Sequence, residues 1–227
     1  MQTDDTYLNT ADNAGARFKA SDIISLAFHP LLVPIYSVLM FCTLSFFRSL
    51  PLYHVVLVIF LVCVFAFVIP YFALHWLEGK GAISSIGLPS QKDRTVPYFI
   101  CGTCLLICAI LLSGIGACPF VFATIYAGSA CVFICTIINF WSKISIHTAA
   151  MGCWFGSVVY LWTDEAIGLL AGNSVTVICS VALLSGISAS IRIASNIHTQ
   201  LQVLGGFVAG FCVGLCTLHL FFLQGFI

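Results

Sequence analysis

The sequence predicts an all-α, polytopic membrane bundle of six to seven transmembrane helices. Composition and the length of the apolar runs carry that prediction. Of 227 residues, 61% are hydrophobic, 20 are Phe and only 7% are charged, with a mean hydropathy of +1.11. Soluble domains carry roughly 25% charged residues, so this chain lacks the means to build a fully water-facing surface. Apolar stretches recur at ~20 residues, the length that crosses a hydrocarbon core. The formal net charge is zero. Nucleic-acid binding demands a basic patch, and no nucleic-acid partner is expected.

Residues 1–22 are polar, with Asp4, Asp5, Asp12, Arg17, Lys19 and Asp22. They lack the apolar core and small-residue cleavage site of a signal peptide. They read as an N-terminal extramembrane tail ahead of a single transmembrane helical domain over 23–227. Spans are expected at about 23–47, 53–77, 97–116, 118–139, 148–162, 174–190 and 203–224. The fifth and sixth are short, which sets the count at six to seven.

Pro30 and Pro34 interrupt the first span near its start, and Pro70 falls late in the second. Membrane helices tolerate proline where neighbours re-satisfy the freed carbonyl. The longest polar connection is 78–96, while 116–118 and 163–173 read as turns. In the last span, Gly206 and Gly210 have the small-xxx-small spacing that lets helices approach closely. Trp141, Trp154 and Trp162 read as interfacial anchors, and His29, His54, His75 and His219 as structural residues. The chain has 12 cysteines, of which Cys101, Cys104 and Cys108 share helical spacing. They sit in an apolar run with no nearby carboxylate or histidine, so they read as small hydrophobes. No metal is expected there.

Ionisable residues concentrate at three breaks between spans: Lys92-Asp93-Arg94, Lys143-Ile144-Ser145-Ile146-His147, and Arg192 with His198 six residues on. Such groups are costly at membrane depth and are functional candidates for that reason. Two spans separate Arg94 from Lys143, and two more separate His147 from Arg192. An even number of crossings returns the chain to the same side, so all three breaks can converge. Asp93 is expected to pair with Lys92 or Arg94. Cations for an oxyanion together with two imidazoles make a set suited to phosphate chemistry.

Over roughly 92–210 the chain resembles the type 2 phosphatidic acid phosphatase superfamily, whose soluble relatives include vanadium haloperoxidases. It looks like a divergent, bacterial-type member. The family carries a Lys and Arg followed by Pro, then Pro-Ser-Gly-His, then Ser-Arg-x5-His-x3-Asp. The corresponding segments here are 92–97, 143–147 and 192–202. The Arg192-to-His198 spacing matches, Ser145 and His147 are kept without the Pro and Gly, and Gln202 stands at the acidic position.

The resemblance implies that His198 attacks phosphorus and that His147 is the general acid for the leaving alcohol. Arg192, Arg94, Lys92 and Lys143 would clamp phosphate oxygens, with Ser145 donating its hydroxyl. If His198 starts the last helix, Gln202 lies one turn on and on the same face. Its amide oxygen can then hold the ring tautomer. No cofactor or metal is implied.

The expected function is an integral membrane lipid phosphatase, metal-independent, working through a phosphohistidine. Its partner would be a phosphatidic acid, phosphatidylglycerol phosphate, polyprenyl pyrophosphate or lipid A type substrate among membrane lipids of a bacterial inner (cell) membrane. A catalytically degenerate headgroup-binding protein or small transporter is the alternative. A haem-binding cytochrome would need to draw its ligands from His29, His54, His75 and His219.

Overall fold

A computed structural model of the chain describes residues 28–42, 50–88, 90–163, 174–195 and 198–223. The expected tail 1–22, both ends of the first expected span and the expected turn beyond Thr163 lie outside the described residues. Within them the regular structure is helical. In chain order the helices are α1 (Val33–Cys42), α2 (Leu52–Gly79), α3 (Thr95–Gly114), α4 (Pro119–Asn139), α5 (Ile146–Thr163), α6 (Ser174–Ala194) and α7 (Gln200–Leu223). Each coincides with an expected apolar segment.

Five of them, α2, α3, α4, α6 and α7, are long and apolar enough to cross a membrane. That is fewer than the six to seven spans expected. Helix α1 is described over only 10 residues. Helix α5 carries His147, Thr148, Gly152, Gly156 and Ser157, which lower its hydropathy. Most of α5 is buried against protein, so it has little need of a lipid-facing composition.

Helix α2 stays continuous through Pro70 by widening its preceding turn. Residues Val64–Val68 form a π turn, and the Ile69 N–H bonds to Val64 O. Proline has no N–H and clashes with the carbonyl one turn back, and a π-bulge relieves that conflict without ending the helix. Helices α3 and α4 form an antiparallel hairpin closed at Gly116, whose φ of 68° suits glycine. Ser129 Oγ donates to Gly102 O at 2.8 Å and ties the pair at mid-depth.

The closest contact in the bundle lies between α5 and α7. Gly206, Gly210 and Gly214 of α7 face the backbone of Ser145, Ala149 and Cys153, while Gly152 and Gly156 of α5 face Phe207 and Phe211. Thr148 Oγ1 donates across this seam to Val203 O at 3.0 Å. Lipid supplies no hydrophobic drive between helices, so small residues and close backbone packing must hold the pair. The seam begins beside His147 and His198, and it fixes how the starts of α5 and α7 face each other.

Candidate functional site

The first break is built by its loop. Glu78 Oε1 accepts the Ile86 N–H at 3.3 Å, and the Asp93 carboxylate accepts the Ser84 N–H and hydroxyl at 3.2 and 2.5 Å. Asp93 therefore organises the loop, where pairing with Lys92 or Arg94 was expected. Gln91 and Asn139 exchange hydrogen bonds, Gln91 Nε2 to Asn139 O (2.6 Å) and Asn139 Nδ2 to Gln91 O (2.9 Å), which tie the loop to the end of α4. Arg94 is only 4% exposed. Its Nε donates to Leu88 O at 2.9 Å and one terminal nitrogen donates to Ile144 O at 3.2 Å. A guanidinium has five N–H donors in a rigid fork, so further donors are left for a ligand.

The second break joins the third directly. The Ser145 N–H donates to Gln202 O at 3.3 Å. Ser145 is fully buried, and its hydroxyl has no described partner. His147 sits in the first turn of α5 with its ring edge-on to His29, centroids 5.6 Å apart at 81°. His29 Nδ1 accepts the Leu31 N–H at 3.3 Å. A neutral His29 therefore carries its proton on Nε2.

In the third break, Thr199 and Gln202 form a capping box at the start of α7. Thr199 Oγ1 accepts the Gln202 N–H, and Gln202 Oε1 accepts the Thr199 N–H, both at 3.3 Å. The same amide oxygen lies 3.2 Å from His198 Nδ1. An amide oxygen only accepts, so the ring proton belongs on Nδ1 and Nε2 keeps its lone pair. Burial holds the His198 pKa down to about 4. The Gln202 hydrogen bond opposes that shift, and the charges of Arg94, Lys143 and Arg192 add to it. The ring is therefore neutral near pH 7, and its Nε2 lone pair is available.

These groups share one cavity of about 370 Å³. Its polar end is lined by His29, Arg94, His147, Arg192 and His198, all at helix starts, helix ends or adjoining turns on one side of the bundle. The described lining contains neither Asp nor Glu. Deeper in, Ala66, Leu105, Ile125, Cys131 and Trp154 make it apolar.

Of the residues singled out from sequence, the cavity gathers Arg94, His147, Arg192 and His198, and Gln202 supports His198 from behind. Lys92 is exposed and Lys143 half-buried; neither they nor Ser145 line the cavity. Lys143 still acts through its charge, and its own pKa is lowered by burial and by Arg94.

Two residues read as structural or interfacial turn out to border this cavity. His29 meets His147 there, and no sequence spacing links the two. Trp154, expected as an interfacial anchor, is 6% exposed inside the bundle, whereas Trp141 and Trp162 are exposed near helix ends. The histidines of the haem reading are scattered: His54 lies against Tyr53, His75 against Tyr71 and His219 against Tyr160. No protein-family model matches the chain, nor does any curated protein or solved structure.

Proposed function

We propose that the chain is an integral membrane phosphatase that removes a phosphate monoester or pyrophosphate group from a lipid. The observation that carries this reading is the meeting of Arg94, Arg192, His147 and His198 on one cavity at one end of an apolar bundle. Two guanidinium groups offer the charge and forked donors that a phosphoryl group needs. Two imidazoles offer a nucleophile and a proton donor.

In the first step His198 Nε2 attacks phosphorus in line. A P–N bond forms as the P–O bond to the lipid breaks, and His147, protonated once the anionic phosphate sits beside it, delivers its proton to the departing oxygen. The Arg94 and Arg192 side chains balance the charge on the equatorial oxygens. Gln202 accepts the Nδ1–H throughout and keeps the ring aligned. In the second step water gives a proton to His147 and attacks phosphorus. The P–N bond breaks, releasing phosphate and restoring His198. His29 packs against the edge of His147 and fixes its orientation. The reaction invokes no metal ion, since the arginines supply the electrostatic stabilisation.

The fold class suits this substrate. Five apolar helices are compatible with an integral membrane protein, and we place the activity at a bacterial inner membrane, where the lipid tail stays in the bilayer. A second reading, headgroup binding without turnover, draws support from Gln202, which lacks the charge that would stabilise a phosphohistidine cation.

The test is release of inorganic phosphate from short-chain phosphatidic acid by the purified protein in detergent without added metal. Turnover inhibited by vanadate and lost in His198→Ala is expected. Undiminished turnover in His198→Ala overturns the nucleophile, and binding without turnover supports the second reading.

A further inference from the structure

Among the described residues, Leu88 is the one non-glycine position with a positive φ, at 48°. A left-handed backbone is rare for a bulky side chain, because Cβ crowds the following carbonyl oxygen. Pro89 comes next in the sequence, and a proline further restricts the residue before it. Strain of this kind persists only where the surrounding structure over-determines it, and it gathers where a chain must hold a functional group. Leu88 adjoins such a group: it lines the cavity, and its carbonyl accepts the Arg94 Nε–H at 2.9 Å.

Two features hold the conformation. The Leu88 N–H donates to Ser85 O at 3.0 Å, closing a turn through Ile86 and Gly87. The Leu88 side chain is half-buried and packs against both apolar clusters of the fold. One is the main core, and the other is a small cluster of Leu74, Leu77 and Ile83 that Leu31 also joins. Leu31 in turn gives its N–H to His29 Nδ1, so the same cluster backs two segments that line the polar end of the cavity. The Leu88 side chain is the peg, and the backbone it pins presents the carbonyl to Arg94. Arg94 is then gripped from two directions, at Nε by Leu88 O and at a terminal nitrogen by Ile144 O.

We infer that Leu88 is a positioning residue for the oxyanion site: its left-handed backbone aims a carbonyl at Arg94, and its apolar side chain pegs that backbone in place. An ordinary backbone at this position turns the carbonyl away, and Nε loses the acceptor that sets the plane of the guanidinium. The inference rests on the phosphate reading and adds to it the residue that presents one of the two cations.

Three substitutions in the full-length protein separate the peg from the backbone. Leu88→Met keeps an apolar peg, Leu88→Ala removes the peg but keeps Cβ, and Leu88→Gly removes both. Glycine enters the left-handed region without strain. Each protein is followed by solvent exchange of the Arg94 Nε–H in 15N NMR, with Arg17, Arg48 and Arg192 the other arginines to be resolved, and by binding of inorganic phosphate in detergent. Leu88→Met and Leu88→Gly are expected within about threefold of wild type in both measurements. Leu88→Ala is expected to exchange at least about tenfold faster and to bind phosphate about tenfold more weakly. Glycine removes more side chain than alanine does, so a plain loss of packing or folding would show at least as strongly in Leu88→Gly. In an Arg94→Lys background, Leu88→Ala should weaken phosphate binding no further, because it acts through the guanidinium.

The two measurements fail separately. Where phosphate binds, alanine and glycine variants that match each other in either measurement overturn the inference, as does a further loss from Leu88→Ala in the Arg94→Lys background. Unchanged exchange in Leu88→Ala removes the positioning role and leaves the phosphate reading standing. The expected order of exchange with no phosphate bound by any of the proteins, wild type included, removes the phosphate reading and leaves the coupling of Leu88 to Arg94.

Discussion

Adjacent glycines at the start of α7 predict opposite outcomes for the same substitution. A Cβ on Gly205 meets nothing within 4 Å, whereas a Cβ on Gly206 lies 2.6 Å from both Ser145 O and Thr148 Oγ1. Ordinary contact begins at 3.4 Å, so Gly206→Ala must move the start of α5 by about 0.8 Å, an overpacking that costs ~1–3 kcal/mol. The displaced atoms sit beside the Ser145-to-Gln202 and Thr148-to-Val203 hydrogen bonds, 3.3 and 3.0 Å long. Stretching these adds about 1 kcal/mol each.

His147 lies between Ser145 and Thr148 and moves with them relative to His198. A misplacement near 1 Å between reacting groups costs about 100-fold in rate. Gly205→Ala should instead gain up to ~1 kcal/mol from helix propensity and keep full turnover. Unfolding in mixed micelles and phosphate release from short-chain phosphatidic acid, run on both variants, are the assays. If Gly206→Ala matches Gly205→Ala in both, the α5–α7 seam does not position the histidines.

Three further outcomes are expected. His198 titrates at about 4 when folded against 6.5 ordinarily. The unfolded chain therefore takes up the proton first, and stability is lost as pH falls from 6.5 towards 4, by about 3 kcal/mol at most. In His198→Gln, unfolding followed across that range should show a shallower slope than wild type, and an identical slope would mean that His198 is not held neutral. Gln202→Glu keeps the acceptor for Thr199 and His198 and adds a charge beside the ring. Phosphate release should rise several-fold as the phosphohistidine cation is stabilised, and an unchanged rate would confine Gln202 to capping. Arg94→Lys replaces a fork with a point charge that cannot reach Leu88 O and Ile144 O together. It should lose about 1 kcal/mol of stability and at least about tenfold in turnover, and wild-type values in both assays would refute the bridging role.

Apolar runs of bilayer length located all seven described helices, because in lipid the backbone must satisfy itself and few other solutions exist. The same rule left α5 expected only as a short span. A helix surrounded by protein does not need to be uniformly apolar, so Thr148, Gly152, Gly156 and Ser157 weakened its signal while improving its packing. Crossing parity was legible for a topological reason, since the hairpin of α3 and α4 returns the chain to the end that holds Arg94. What sequence could not show were the contacts made through backbone. Arg94 is placed by the carbonyls of Leu88 and Ile144, and every residue supplies a carbonyl. The Thr199–Gln202 capping box is legible from its spacing, but Gln202 also falls on the acidic position of the resembled motif, so one residue carries two competing signals.

His29 was hidden for a different reason, and it bears on how the site works. Read alone, it is a histidine before a pair of prolines, Pro30 and Pro34. In the fold the turn at 29–32 is closed by Leu32 N–H to His29 O at 2.8 Å, while the Leu31 N–H occupies His29 Nδ1. The backbone thus sets both the tautomer of His29 and the direction of its ring against His147. A similar device sets His198, where a side-chain amide already engaged in capping α7 fixes the tautomer. Both imidazoles are oriented by neutral hydrogen-bond partners, and carboxylates take no part. Charge in the cavity is accordingly left to Arg94 and Arg192, with Lys143 acting from outside its lining. Under the proposed phosphatase reaction, a phosphate entering there meets its cations already in place and its nucleophile already neutral.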